Sequence, residues 1–463
     1  MWERFSYYGM RALLVLYLVN QLNWSDGRAA SLYGTYTSLV YLTPLLGGYL
    51  ADRLLGTRRS LVIGGIVIAL GHFTLALQTT QTFYIGLALV IIGTGFFKSN
   101  VSTMVGQIYG AGDSRRDSGF TVYYMGINTG AFIAPLICGY LGQKVGWHWG
   151  FGAAGVGMVL GLIVYLSLRD KYLPGIGLPP SGRPAAAAER TGRGNEESTP
   201  AEHRAALLHA LLGAAIGAAL GWNGGAMGIA MGSVITAALF VSLLGTHGEE
   251  RMRVIAIFIV VFFAIFFWMA FEQAGSSMNL FADRHVDLNV LGFSIPSSWF
   301  QSVEAACILI FAIPFAWLWR RLNARGREPA TAMKMVYGLF LLGLGFVFLV
   351  VGGRGADAGL KVSPLWLIAA YMLHAWGELS VSPVGLSYIT KVAPYRFASL
   401  LMGVWFLANA AANKLGGFLE AQTESIPSQS TFFTIPVVTS WGAAVLMLLL
   451  VPVLKRLTAT VKA

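Results

Sequence analysis

Residues 47–59 read GGYLADRLLGTRR, and the meaning of this stretch comes from what flanks it. The apolar runs 32–50 and 60–77 lie on either side. As helices rising about 1.5 Å per residue, each can cross about 30 Å of hydrocarbon. Between them stand four charges, Asp52, Arg53, Arg58 and Arg59, too close together for a buried segment. The stretch therefore reads as a tight surface turn between two membrane spans. Gly47 and Gly48 let the helices approach closely, and Asp52 can latch onto a neighbouring helix in one state and release it in another. Asp52, Arg53, Arg58 and Arg59 are candidate gating residues.

The same pattern repeats outward. Further spans are expected near 5–22, 82–109, 119–142 and 148–168. The polar run RPAAAAERTGRGNEESTPAEHR at 183–204 then reads as a linker. Two spans near 206–224 and 227–245 follow, then six more near 253–275, 298–319, 333–352, 364–391, 397–416 and 432–455. The expectation is an all-α polytopic membrane protein with fourteen spans in the order six, two, six. Its parts are a six-helix bundle over 1–170, a linker plus inserted hairpin over 171–250, and a second six-helix bundle over 251–463.

Composition agrees. Of 463 residues, 56% are hydrophobic and 11% charged, against about 25% charged in soluble proteins. That excludes a soluble enzyme, and spans this long exclude an outer-membrane barrel, whose strands need only about 10 residues. A net charge of +11 could suggest nucleic acid, but the placement of the charges argues against it. With the loops after even-numbered spans assigned to the cytoplasm, 23 basic residues fall there and five on the other side. Such a bias sets orientation, so both termini are expected in the cytoplasm. The front of the chain, MWERFSYYG, lacks the layout of a cleavable signal. Cys138 and Cys307 sit in apolar runs and imply no disulfide. The seven histidines show no metal spacing, and no metal or cofactor is expected.

Charge inside a span is costly and usually functional. The basic residues inside or at the edges of spans are Arg4, Arg11, Lys98 and Lys414, and the acidic ones at similar depth are Glu3, Glu272, Glu304 and Glu378. Snorkelling suffices for Arg4 and Lys414, near helix ends. Arg11, Lys98, Glu272 and Glu378 are too far from theirs and are expected to face a polar cavity.

Several motifs resemble known ones. GGYLADRLLGTRR, with the six-two-six count, is similar to the loop motif of the major facilitator superfamily, which implies two six-helix halves around a central site. ERFSYYG at 3–9 with Arg11, GTGFFKSN at 93–100, FTVYYMGINTG at 120–130, FWMAFEQAGSSMN at 267–279 and GELSVSPVGLSY at 377–388 resemble the signatures of the proton-dependent oligopeptide transporters. Bacterial members of that family also carry an extra helix pair between the bundles. The resemblance implies proton-coupled uptake of dipeptides and tripeptides across a bacterial inner membrane by a protein that works as a monomer.

It also implies roles. Arg11 and Lys98 would hold the peptide carboxylate, one with a fork and one with a point charge. Glu378 would hold the peptide ammonium. Asn128 would bond the peptide amide, since its side chain donates and accepts. Tyr7, Tyr8, Tyr41, Trp268 and Trp405 would wall the pocket, with Ser382 one turn beyond Glu378. Glu272, paired with Arg11 across the halves, would carry the proton, and Glu3–Arg4 would form a second element nearer the cytoplasm. A bound carboxylate competing for Arg11 favours protonated Glu272, so peptide and proton bind cooperatively.

The chain departs from that family's pattern in three places. Ser99 follows Lys98 where proline is usual, and Glu304 stands where asparagine is usual, adding a carboxylate near the pocket. A further glutamate usually lies three residues before Glu3, so a natural upstream sequence supplying it is expected. The second span lacks the histidine of animal members, which favours coupling through carboxylates. Two alternatives stand beside the main reading. One is transport of another small anion or conjugated metabolite, which leaves Glu378 without a purpose. The other is a non-transporting sensor or scaffold, which leaves the buried charges without one.

Overall fold

The computed structural model describes residues 1–109, 113, 115–179, 200–222, 225–290, 292–422 and 425–459. The helices of the first half are α1 (Trp2–Asn20), α2 (Asp26–Leu50), α3 (Gly56–Leu75), α4 (Thr80–Ile108), α5 (Arg116–Tyr140) and α6 (Trp147–Tyr172). An inserted pair follows, α7 (Pro200–Leu220) and α8 (Gly225–Leu244). The second half runs α9 (Gly248–Phe271), a short α10 (Ser277–His285), α11 (Gln301–Ala324), α12 (Thr331–Asp357), α13 (Pro364–Val392), α14 (Ala398–Gln422) and α15 (Gln429–Leu457). The order six, two, six is present among the described residues, with α9 and α10 forming one interrupted span. On length and hydropathy, eight helical stretches among the described residues qualify as membrane spans by themselves, with 26–75 counted as one. α1 does not, because Glu3, Arg4 and Arg11 lower its hydropathy; it is buried instead against α5 and α6.

The span expected at 253–275 is broken. The α-helix stops at Phe271, a single 3₁₀ turn covers Glu272–Gly275, and the chain continues as α10. The expected surface turn at 51–59 is also different. The helix continues past Leu50 into one wide turn, Ala51–Leu55, and α3 starts at once at Gly56, whose φ of 74° turns the backbone. Of the linker, 183–199 lies outside the described residues, and 200–204 is already helix.

Neighbours on α4 show that α2 and α3 fold back on each other. A Cβ on Gly47 would strike the carbonyl of Gly95, and one on Gly64 would strike that of Gly93. In one straight helix, Gly47 and Gly64 would stand about 25 Å apart. Here both rest on the same turn of α4, which the absence of side chains permits.

Two separate cores result. One gathers Tyr17, Phe83 and Phe151 within the first half, and the other Phe267, Phe346 and Phe433 within the second. The inserted pair sits at the seam between them. Ser38 of α2 donates to the Met231 sulfur of α8 at 3.2 Å, and Met231 packs with Ala410 and Ala411 of α14.

Candidate functional site

The interrupted span sets the centre of the site. Where α9 ends, Glu272 is buried, and its carboxylate lies 2.9 Å from the Arg11 guanidinium of α1. Arg11 Nε also donates to the Tyr33 hydroxyl of α2 at 2.7 Å. This is an ion pair between the two halves with both side chains almost fully removed from solvent. Pairs of this kind add little net stability, yet removing one partner leaves a buried charge and costs about 3–5 kcal/mol.

Around this pair the structure gathers most of the expected residues. Lys98 of α4 places Nζ 3.3 Å from the Tyr41 ring centroid and 6.0 Å from that of Tyr7. That ammonium has no hydrogen-bond partner among the described residues, so an aromatic face is its main support. The Arg11 guanidinium lies 5.6 Å from the Tyr8 ring, which meets Tyr7 edge-on at 5.1 Å. Glu304 of α11 and Glu378 of α13 interact electrostatically with each other, with Glu272 and with Arg11. Trp268, one turn before Glu272, is buried edge-on to Phe267 and Phe271, with its indole N–H unpartnered among the described residues. Cations thus come from α1 and α4, and carboxylates from the 3₁₀ turn after α9, from α11 and from α13. The arrangement can hold a small molecule with separated opposite charges.

Other expected residues sit differently. Asn128 donates to the Tyr124 carbonyl of its own helix at 3.0 Å. Trp405 is buried in the second core, its ring over Gly385 between α13 and α14. Ser382 is partly exposed on α13. Arg4 does not snorkel. It is buried beside Glu3 at 2.9 Å, because the start of α1 packs closely on α5 at Gly130. Lys414 is partly buried and donates to Thr35 across the seam at 2.8 Å. Asp52 and Arg59 are exposed, Arg53 lies over the Tyr49 ring, and Arg58 pairs with Asp170 at 3.2 Å.

Three contacts had no signal in the sequence. Tyr33 binds Arg11, Asn279 of α10 donates to the Ala12 carbonyl at 2.9 Å, and Glu420 accepts from Ser276 at 2.8 Å. Each joins residues far apart in the chain. Glu420 was also hidden by an α14 that runs one and a half turns past the apolar stretch expected to end near 416.

Comparison with known proteins adds to this geometry. The model of the POT family matches residues 58–173 and 226–438. The chain belongs to the POT family. It is 40% identical to uncharacterized transporter YclF of Bacillus subtilis, covering 98% of this chain and 92% of that one. It is 36% identical to peptide transporter YePEPT of Yersinia enterocolitica, covering 99% and 94%. Among solved structures, peptide transporter POT in complex with alafosfalin, a point mutant, superposes with a TM-score of 0.80 at 35% identity, covering 98% and 93%. The protein is thus a multi-pass membrane transporter of a peptide-transporting family with the major facilitator fold, and not an enzyme.

Proposed function

We propose that this transporter takes up dipeptides and tripeptides together with protons by alternating access. The observation that carries the reading is the buried Arg11–Glu272 pair, 2.9 Å long, joining the two halves beside Lys98 and Glu378. A peptide spanning this site puts its carboxylate on Arg11 and Lys98 and its ammonium on Glu378. The rings of Tyr7, Tyr8, Tyr41 and Trp268 accept varied side chains without charge preference. When the peptide carboxylate takes Arg11, Glu272 loses its ionic partner and its protonated form is favoured. The tie between the halves is then a neutral one and can open. Glu3–Arg4 forms the later carboxylate element, Glu304 narrows substrate choice, and Asp52 with the arginines at 53, 58 and 59 works at the terminal mouth.

The moving units are the bundles 1–170 and 251–463, with 171–250 riding at the seam. The bacterial relatives support a bacterial inner membrane, the bias of basic residues supports both termini in the cytoplasm, and the site, complete within one chain, supports a working monomer.

Proton-gradient-driven uptake of a labelled dipeptide into proteoliposomes tests the reading, with tripeptides, free amino acids and nitrate as competitors. Competition by tripeptides alone is expected; competition by nitrate alone would overturn it. Glu378→Gln tests the clamp. A charge-assisted hydrogen bond is worth about 1.5–3 kcal/mol, so an ordinary dipeptide should bind about 10- to 150-fold more weakly. Its N-acetylated analogue, which has no ammonium, should be little affected. Equal losses would remove Glu378 from this role.

A further inference from the structure

The 3₁₀ turn that carries Glu272 is held in place by side chains from three other helices. From α2, Tyr33 lies so close that a Cβ on Gly275 would strike its hydroxyl, the same hydroxyl that accepts from Arg11. From α13, the Tyr371 hydroxyl donates to the Ala274 carbonyl at 3.3 Å. From α14, the Glu420 carboxylate accepts from the Ser276 hydroxyl at 2.8 Å and from the Ser277 hydroxyl at 3.4 Å. Glu420 is buried, at 9% exposure, although it stands near the end of its helix. A carboxylate has nothing to gain there from solvent, and it accepts bonds from the two serines that follow the turn.

We propose that Glu420 is a positioning residue for the Arg11–Glu272 pair: by fixing Ser276 and Ser277 it sets the turn in the place that brings Glu272 to Arg11. An α-helix continued through 272–275 would carry its own hydrogen bonds and need no such support. A single 3₁₀ turn between two helices is a weak segment, and its backbone at Ser276, φ −122° and ψ −98°, lies outside the helical region. Side-chain anchors at Ala274, Gly275 and Ser276 restore what the break gives up. Tyr33 is an electrostatic neighbour of Glu420 as well as the partner of Arg11, so the anchor and the pair share one network.

The charged groups around Glu272 are Arg11 from α1, Lys98 from α4, Glu304 from α11 and Glu378 from α13. The phenols of Tyr7, Tyr8, Tyr33 and Tyr41 complete its surroundings from α1 and α2. Arg11 is the one in contact, so a turn that drifts changes the Arg11 interaction first.

The proposal rests on the reading of Arg11–Glu272 as the proton-linked pair, and the test separates the two. Glu420→Ala, Glu420→Gln, Ser276→Ala and Glu272→Gln are reconstituted, matched for amount of folded protein in the membrane, and assayed for driven uptake against pH and for peptide exchange. Glu420→Ala and Ser276→Ala should move the midpoint of driven uptake to higher pH. A tenfold loss in the hold of Arg11 on Glu272 corresponds to about one pH unit. Exchange should fall less than driven uptake does. Glu420→Gln keeps an acceptor oxygen and should recover the midpoint. An unshifted midpoint in Glu420→Ala, equal losses of exchange and uptake, or a Gln variant no better than Ala would each overturn the proposal. Uphill transport by Glu272→Gln would instead overturn the reading of the pair.

Discussion

The two ends of the molecule handle charge in opposite ways. At the end away from the termini, polar groups join the halves. Arg284 of α10 grips Asp26 of α2 with two bonds, 2.5 and 2.7 Å. Asn20 reaches Asp283 at 2.9 Å, and Gln143 bonds both Ser297 and Ser298. Backbones also meet there, since a Cβ on Gly34 of α2 would lie 2.5 Å from the Asn413 carbonyl and 2.9 Å from Gly417 of α14. At the end bearing the termini, the ion pairs Arg58–Asp170, Arg115–Asp113, Arg253–Glu249, Lys334–Glu328 and Arg396–Glu250 each stay within one half. Parting the halves at the terminal end breaks none of those pairs. Parting them at the distal end breaks a row of bonds. This describes a transporter closed on the distal side, with the central pair as the deepest tie of the closed seam.

Four substitutions grade that contrast. Each is read by the distance between spin labels at Ser31→Cys and Phe418→Cys, on the two halves at the distal end. The largest effect is expected from Glu272→Gln. Removing one partner of the buried pair costs about 3–5 kcal/mol, enough to move the balance toward distal opening by about two to three and a half decades, at about 1.4 kcal/mol per decade. The same variant should lose uphill accumulation yet keep exchange of labelled for unlabelled peptide, since exchange needs no net proton movement. Full accumulation would place the coupling elsewhere, with Glu304 the next residue to test.

Gly34→Ala comes next. Overpacking a close contact costs about 1–3 kcal/mol, and this contact is part of the closed seam, so the label distance should lengthen. A distance unchanged from wild type would show that α2 and α14 do not approach as closely as described. Asp26→Asn is a smaller change, because both partners of its pair are about two-fifths exposed. Exposed pairs are worth about 0.2–1 kcal/mol, so a shift of at most about fivefold is expected. The exchanged pair, Asp26→Arg with Arg284→Asp, should restore the wild-type distribution. Asp170→Asn at the terminal end is the smallest: it breaks a pair within one half, and the label distribution should not move. A clear shift would mean that the terminal end also contributes to the balance.

The tyrosines show where the sequence was sufficient and where it was not. Tyr7, Tyr8 and Tyr41 were legible because they sit in or near motifs whose resemblance carried their placement, and the structure gathers them around Arg11 and Lys98. Tyr33 and Tyr371 lie outside those motifs and looked like two aromatics among many. Their importance comes from hydroxyls that reach Arg11 and the Ala274 carbonyl on other helices. Trp405 shows the opposite case, a residue given a place in the pocket wall by the resemblance alone, which the fold seats against Gly385 in the second core.

By itself, the sequence determined the membrane class, the six-two-six order of helices and which ionisable residues had to be kept from lipid. These follow from local quantities: the length of an apolar run, the spacing of charges and the cost of burying each one. The break at 272–275, the direct passage from α2 to α3 and the distal closure were decided only by tertiary structure. Each depends on contacts between residues distant in the chain, such as Glu420 with Ser276, Gly47 and Gly64 with α4, and Arg284 with Asp26. A hydropathy pattern has no information about which surfaces meet, because two helices that touch and two that face lipid bury the same kinds of side chain.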